Sequence, residues 1–322
     1  MAQQDGSPAR IGVDIGGTFT DVVLEKDSAR YTAKVLTTPR APEEGVGQGI
    51  EGVLAQSGVT PGEVSLIIHG TTLATNALIE RKGVITALVT TEGFRDSIEM
   101  GSESRFEQYD INMEKPLPLV PRRRRFPVAE RLNAAGEVIL PLDEAAVAAL
   151  VEPLKEHDVE SVAIGFLHSY VNPAHERRAH EILSAALPDV TFTLSSEVAP
   201  EMREYERFST ACANAYVQPI MARYLRRLEA GLKAEGFTCP LFVMLSGGGV
   251  ADIETGIRFP IRLVESGPVG GAIFSSHAAA ECGLSEVLSF DMGGTTAKLC
   301  LIDNYRPQTA RSRTWRCFVT LA

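Results

Sequence analysis

The motif Asp-x-Gly-Gly-Thr occurs twice in this chain, at residues 14–18 and 291–295, and each copy lies between two runs of strand-forming residues. Because glycine lacks a Cβ atom, such a turn can adopt positive φ and lets backbone amides approach an anion closely. A structural β-hairpin can also contain Gly-Gly, so one copy alone would leave both interpretations open. The repetition of the same residues in the same order favours two phosphate-binding turns over two unrelated hairpins.

The first copy carries carboxylate and hydroxyl groups as well as backbone amides. Asp14 stands at the mouth of the turn, where it could hold a metal ion directly or through water. Hydroxyl groups beyond the glycines can donate hydrogen bonds to phosphate oxygens. The candidate phosphate-binding residues of this copy are Gly16, Gly17, Thr18 and Thr20.

Length and composition predict a globular protein of about two domains. The chain has 322 residues, of which 44% are hydrophobic and 22% charged. Its formal charge of −10 argues against nucleic-acid binding and against binding to anionic membranes. The polar start, the lack of a membrane-length apolar run and five cysteines without a C-x-x-C pair predict a cytoplasmic protein with reduced, mostly buried thiols.

The order of predicted elements indicates an α/β protein. One strand leads into the first motif, two strands and a helix follow it, and strands alternate with helices between residues 143 and 194. A long helical region spans 201–235, in which Pro219 should kink or restart the helix. The histidines at 168, 175 and 180 match no familiar metal-site spacing, and exposed helix positions explain His175 and His180 better.

A second polar segment follows the predicted strand at 64–68. Its candidate substrate-pocket residues are His69, Thr71, Thr72 and Asn76. The carboxyl ends of strands in open α/β sheets, and helix amino termini, favour polar or anionic ligands. Capping of the next helix by Thr71 or Thr72 explains one hydroxyl equally well. Both interpretations stay open from the residues alone.

Five segments together resemble the hydantoinase A / 5-oxoprolinase family, which includes N-methylhydantoinase A-like and acetone-carboxylase β-subunit-like proteins. The segments are 11–22, 69–78, 110–125, 265–272 and 290–298, and the resemblance covers about residues 10–307. It implies the α/β fold of the actin, sugar-kinase and Hsp70-type ATPase superfamily, also called ribonuclease H-like. The chain would form the first half of this fold and the opening hairpin of the second half, with an inserted α/β subdomain.

The resemblance also implies a division of the chain. Residues 1–9 would form a disordered tail, and residues 10–200 an N-terminal α/β domain with the first phosphate loop. Residues 201–307 would form the start of an ATPase domain, with a connecting helix and the second phosphate loop. Residues 308–322 would form an atypical, truncated tail.

In this family comparison, Asp14 and Asp291 would act in catalysis, facing each other across a cleft and organising Mg²⁺ on the phosphates of ATP. Glu265 is similar in position to an acidic residue near the metal in related ATPases. The second phosphate loop would comprise Gly293, Gly294, Thr295 and Thr296.

The implied activity is ATP-dependent ring opening of a hydantoin-like or 5-oxoproline-like cyclic amide. Phosphorylation of the amide oxygen would create a good leaving group. The alternatives are an acetone-type carboxylase subunit and a non-catalytic nucleotide-binding remnant. The implied partner is a hydantoinase B-like subunit or another copy of the chain, with no nucleic acid and no membrane.

One departure from the family pattern concerns the end of the chain. Members of the superfamily have a glycine-rich adenosine-binding loop well after the second phosphate loop, whereas this sequence stops about 20 residues past Lys298. We therefore expect a fragment, a truncated product, or a chain completed by another polypeptide. The hairpin at 287–302 should then expose a sheet edge and apolar surface.

Overall fold

The computed structural model describes residues 7–101, 109, 111–112, 116–292 and 297–308. Its described residues fall into two compact units: the first is built from residues up to 76 and from 221 onwards, and the second from 77 to 220. The second unit is therefore an insertion in the sequence of the first. The proposed boundary between residues 200 and 201 stays a prediction, and most of both predicted tails lies outside the described residues.

The elements alternate along the chain as an α/β protein requires. The strands are β1 (Ala9–Ile15), β2 (Phe19–Lys26), β3 (Ala29–Leu36), β4 (Val64–Thr71), β5 (Thr86–Thr91), β6 (Arg125–Val128), β7 (Arg131–Leu132), β8 (Val138–Leu140), β9 (Ser161–Gly165), β10 (Thr191–Leu194), β11 (Leu241–Met244), β12 (Val250–Asp252), β13 (Glu286–Met292), β14 (Ala297–Asp303) and β15 (Arg306–Pro307). The helices are α1 (Pro42–Ser57), α2 (Leu73–Ile79), α3 (Ser97–Met100), α4 (Glu144–Ala149), α5 (Val151–Glu156), α6 (Ala174–Ala186), α7 (Ser195–Val198), α8 (Glu204–Ala234), α9 (Ile253–Arg258) and α10 (Ser266–Glu281).

The first unit contains a six-stranded sheet in the order β12-β11-β4-β1-β2-β3. The strands β1, β2 and β3 form an antiparallel meander, and β4 returns parallel to β1 after α1. Helix α1 packs closely on this meander, because a Cβ atom added to Gly49 would lie 2.5 Å from a methyl group of Val22. Since strand side chains alternate between faces, the buried residues of β1 point towards α1 and Asp14 points to the opposite face.

The second unit contains a parallel four-stranded sheet in the order β10-β9-β5-β6. One face packs an apolar cluster that includes Val89, Val162 and Ile164. On the other face, the Thr193 hydroxyl accepts a hydrogen bond from Asn214 of α8 at 3.0 Å. Helix α8 continues through Pro219, so the predicted restart near that residue is wrong. The carbonyl of Tyr216, three residues earlier, accepts a bond from the Val84 amide at 3.0 Å, which ties this part of the helix to the segment before β5.

Two histidines of α6 differ from the expectation of exposed positions. His175 is buried, and its Nδ1 lies 2.8 Å from Glu130 Oε2, while His180 is half-buried and its ring packs edge-on to Phe192. The neighbouring Glu176 is also buried and accepts bonds from backbone and hydroxyl groups that follow β9 and β10. The first turn of α6 therefore places two polar side chains, His175 and Glu176, in the interior of the second unit, where both are hydrogen-bonded. The sequence did not reveal this burial.

The hairpin β13–β14 forms a small sheet with β15, and α10 lies against one side of it. The Ser275 hydroxyl of α10 donates to Ser289 at 3.1 Å. The other side is apolar and 55–69% exposed, as expected from the sequence; it comprises Leu288, Phe290, Met292, Leu299 and Leu301. The prediction of exposed apolar surface on this hairpin is confirmed for the described residues.

Two further findings concern composition. Among the four described cysteines only Cys212 is buried, so the expectation of mostly buried thiols is wrong. Within the described ranges, none of the helices combines the length and the apolar character that crossing a membrane requires.

Candidate functional site

The first Gly-Gly turn is tight and open to solvent. The Gly16 amide donates to the carbonyl of Phe19 at 2.9 Å and closes the turn, while Gly17 and Thr18 are exposed. A Cβ atom on Gly16 would lie 3.1 Å from that same carbonyl, so a larger residue would crowd the turn. The turn therefore presents backbone amides that an anion could approach.

Thr20 differs from the other candidates of this turn. Its side chain is fully buried, and its hydroxyl lies 3.1 Å from the hydroxyl of Thr37. The Thr37 hydroxyl donates in turn to the carbonyl of Gly16 at 3.0 Å. Thr20 thus supports the turn from the side of α1. Its role as a phosphate ligand stays a prediction, with this burial as evidence against it.

Asp14 lies at the end of β1 on the open face of the six-stranded sheet. It is in register with Asp21 of β2 and with Gly70 of β4. A Cβ atom on Gly70 would lie 3.0 Å from Asp14 Oδ1, and one on Gly267 would lie 3.8 Å from the same oxygen. These two glycines, which the sequence reading did not single out, leave room for the carboxylate.

The electrostatic environment of Asp14 links the two motif aspartates. Partial burial raises the pKa of Asp14, and the nearby carboxylates of Asp21 and Asp291 raise it further, while Lys34 opposes this effect. The structure therefore brings Asp14 and Asp291 close enough for their charges to interact. The other candidates of the second motif, Gly293, Gly294, Thr295 and Thr296, lie outside the described residues.

His69 and Thr71 belong to β4, because this strand continues to Thr71 rather than ending at residue 68. His69 is buried on the face opposite Asp14, and its Nε2 lies 2.7 Å from the hydroxyl of Tyr224. Burial lowers the pKa of His69 to about 4. Thr71 is also buried and accepts a bond from the Leu73 amide at the start of α2.

Thr72 and Asn76 lie beside the first turn instead. The amide and the hydroxyl of Thr72 both donate to the carbonyl of Ile15 at 3.0 Å, and Asn76 Nδ2 donates to the Thr72 hydroxyl at 3.4 Å. A Cβ atom on Gly17 would lie 3.7 Å from Asn76 Nδ2. The predicted polar pocket is thus divided: two members lie next to the turn, and His69 and Thr71 lie in the interior.

Glu265 precedes α10 in a left-handed conformation, with φ of 68°, which is costly for a residue with a Cβ atom. Its amide donates to the Thr75 hydroxyl at 3.3 Å, and its Oε1 lies 3.6 Å from Lys298 Nζ. Among the described residues, no group of three or more His, Cys, Asp or Glu side chains could hold a metal ion by itself. The predicted metal role of Glu265 stays a prediction.

A cavity of about 720 Å³ opens on the Asp14 face of the sheet. Its polar walls include Asp14, Asp21 and Lys34, and its floor includes Gly70 and Gly267. The site therefore combines a carboxylate with a raised pKa, a cavity that this carboxylate lines, and a glycine turn that begins two residues later in the chain.

Comparisons with known proteins match most of the chain. The family model described as "Hydantoinase/oxoprolinase N-terminal region" matches residues 10–187, and the one described as "Hydantoinase/oxoprolinase" matches residues 207–320. The caprolactamase subunit alpha of Pseudomonas jessenii is 36% identical over 91% of this chain and 43% of its own length. The 5-oxoprolinase of Saccharomyces cerevisiae is 32% identical over 89% of this chain and 25% of its own length.

Solved structures show the same similarity. A nucleotide-free acetone carboxylase structure superimposes with a TM-score of 0.83 and 26% identity, over 92% of this chain and 44% of that one. The ATP-dependent caprolactamase from Pseudomonas jessenii superimposes with a TM-score of 0.82, over 91% of this chain and 43% of that one. The chain thus spans less than half the length of these relatives.

Proposed function

Because the chain belongs to the hydantoinase/oxoprolinase family, we propose that it is part of an ATP-dependent hydrolase that opens a cyclic amide of the hydantoin or 5-oxoproline type. Two of its relatives are named as hydrolases of this general kind, caprolactamase and 5-oxoprolinase. The fold agrees with the predicted actin-like ATPase class, in which two related halves bind a nucleotide.

One observation carries the proposal. The two copies of the motif belong to the same unit, and the charge of Asp291 reaches Asp14 and raises its pKa. Two unrelated hairpins would have no reason to place their aspartates together. Phosphoryl transfer, in contrast, commonly uses carboxylate-bound Mg²⁺ together with backbone amides that bind the phosphates.

The residues present fit Mg²⁺ and ATP. Mg²⁺ prefers oxygen ligands and is commonly held by one or two carboxylates together with substrate phosphates. Asp14 and Asp291 would supply those carboxylates, and a cation between them would relieve the repulsion that raises the pKa of Asp14. Bound MgATP would supply the phosphoryl group that makes the amide oxygen a leaving group.

The chain's own residues would act by positioning and charge. The amides of the first turn would bind phosphate oxygens, and Thr72 and Asn76 would hold the turn in place through the carbonyl of Ile15. The cavity beside Asp14 is the candidate space for the reacting groups. Its many glycines allow ligand atoms to come close to the backbone.

The alternative function is that of a carboxylase subunit, and the likeness to acetone carboxylase supports it. In that case ATP would activate a different oxygen at the same turns. The relatives named as subunits also support a partner chain, such as a hydantoinase B-like subunit, or a homo-oligomer.

A measurement of ADP release tests the proposal. The purified chain, alone and with a co-expressed partner subunit, would be assayed with MgATP and hydantoin, 5-oxoproline, or acetone with bicarbonate. We expect a cyclic amide to stimulate ADP release, whereas stimulation by acetone and bicarbonate would establish the carboxylase instead. Nucleotide binding without stimulation by either substrate would favour the non-catalytic nucleotide-binding remnant, and absence of nucleotide binding in calorimetry would contradict all three alternatives.

A further inference from the structure

The two copies of the motif differ at one structurally matched position. The residue directly opposite the motif aspartate, across the hairpin, is Asp21 in the first copy and Lys298 in the second. Both lie seven residues after their motif aspartate, so they occupy the same place in the repeat. In the first hairpin, Asp14 therefore faces a carboxylate, whereas in the second hairpin Asp291 faces an ammonium group.

This difference changes the charge of the cross-strand pair from two negative charges in the first hairpin to none in the second. In the first copy, Asp14 and Asp21 repel each other, and Asp21 is held by Lys34 at 2.8 Å. Two neighbouring carboxylates favour a bound cation. In the second copy, Lys298 neutralises its own hairpin, so that this side can approach an anion. The repeat thus combines a hairpin in which two carboxylates face each other with a hairpin in which a lysine faces the carboxylate.

Lys298 is held only weakly in the structure. Its one ion-pair partner among the described residues is Glu265, at 3.6 Å, and the two side chains are 25% and 40% exposed. An ion pair at this distance between partly exposed groups contributes little to stability, since water still reaches both charges. A flexible lysine side chain can exchange such a partner for a phosphate group at small cost.

We propose that Lys298 leaves Glu265 and contacts the terminal phosphates of a nucleotide bound beside Asp14 and Asp291. This inference rests on the proposed function and assigns a phosphate-binding residue to it. Asp21 would then add a second carboxylate on the first hairpin, and Lys298 would add a positive charge for the phosphates on the second, which explains why the repeat is asymmetric at this position.

Calorimetric titration with ATP and with AMP, both in Mg²⁺, tests this role. We expect Lys298→Met to weaken ATP binding about tenfold and to leave AMP binding unchanged, because AMP lacks the terminal phosphates. Lys298→Arg should retain most of the ATP affinity. The matched control is Lys26→Met, since Lys26 also pairs with a glutamate, Glu63, at 3.0 Å and with similar exposure, 32% and 47%, at the far end of β2.

The outcomes separate this inference from the function on which it rests. Equal ATP affinity of Lys298→Met and the unchanged chain would overturn the inference alone. A loss that affects AMP and ATP equally, or that Lys26→Met reproduces, would also overturn it. If the unchanged chain binds neither nucleotide, the proposed function fails first. Thermal melting of each variant verifies that the fold is retained.

Discussion

His69 shows how one side chain can be misplaced by a reading of the sequence alone. The polar residues after Val64–Ile68 suggested a loop that lines a pocket, yet β4 continues to Thr71. In a strand, alternate residues point to opposite faces, so His69 enters the interior while Gly70 lies beside Asp14. The extent of pairing with β1 decides this, and pairing depends on residues far away in sequence.

The burial of His69 predicts an acid-sensitive fold. Its pKa falls from 6.5 to about 4 on folding, so between these values the unfolded chain binds more protons than the folded chain. Stability contributed by neutral His69 is therefore complete above the unfolded pKa and is lost as the pH falls towards 4. We expect a loss of about 2 kcal/mol in the free energy of unfolding on going from about pH 7.5 to about pH 5.

Urea unfolding at the two pH values measures this loss. The variant His69→Gln cannot be protonated and retains a group that can accept a bond from Tyr224, which stays a neutral donor because burial raises its pKa. The variant should therefore show a smaller loss than the unchanged chain. Equal losses in both proteins would contradict a neutral, buried His69.

Asp14 is predicted to serve function at the expense of stability. Since burial and like charges raise its pKa, its ionised form destabilises the fold. In the assembled enzyme, Asp14→Asn should lower ATP turnover by at least about a hundredfold, because a preorganised charged group is lost. Its melting temperature should be equal or higher, because the repulsion disappears.

The control for this experiment is Glu25→Gln, which removes an exposed carboxylate from the other end of β2. It should leave turnover unchanged. Near-normal turnover in Asp14→Asn, measured as ADP release, would rule out the metal-binding role of Asp14.

At the scale of elements, the close approach of α8 to β9 depends on one glycine. A Cβ atom on Gly165 would lie 2.5 Å from the ring of the fully buried Phe208. Because neither the strand nor the ring has space to move, Gly165→Ala should lower the free energy of unfolding by about 1–3 kcal/mol.

Gly231 provides the opposite case on the same helix. A Cβ atom there meets no atom within 4 Å, so Gly231→Ala should raise helix stability by about 0.5–1 kcal/mol. Denaturant midpoints of both variants test the pair. A stable Gly165→Ala variant would show that α8 does not pack on β9 as closely as the structure indicates.

Buried polar groups explain another part of the element packing. Glu176 lies in the first turn of α6 and accepts bonds from the Phe166 amide at 3.0 Å and from Ser195 and Ser196 at 2.6–2.9 Å. A buried carboxylate is tolerated only when its oxygens are hydrogen-bonded. The donors come from the ends of two parallel strands, so no local spacing in the sequence could have identified them.

At the scale of the whole molecule, the repeat has one covered and one uncovered face. The two copies of the motif are 277 residues apart, so each exposed apolar residue of β13–β14 has an equivalent in β1–β2. These equivalents in the first copy are only 0–4% exposed, because they lie beneath α1. These residues are Ile11, Val13, Ile15, Val22 and Leu24. The equivalent face of β13–β14 is uncovered among the described residues, although its side chains are as apolar.

This face should bind hydrophobic dye and promote self-association. We expect the unchanged chain to bind the fluorescent dye ANS, and the double variant Phe290→Ser with Leu299→Ser to bind much less and to elute later in size exclusion. Ile139→Ser is the matched control, because Ile139 is also 65% exposed but belongs to a different sheet, the pair β7–β8. A monomeric, soluble chain that binds no ANS would contradict the expectation.

The sequence by itself determined the family, the fold class, the repeated turns and the apolar face of the second hairpin. Each of these depends on local order: glycines that shape a turn, and alternation that places like residues on one face. Only the tertiary structure decided that Thr20, His69, Thr71 and His175 lie in the interior and that Lys298 faces Asp291. Burial and charge pairing depend on which distant segments pack together, and that information is distributed over the whole chain.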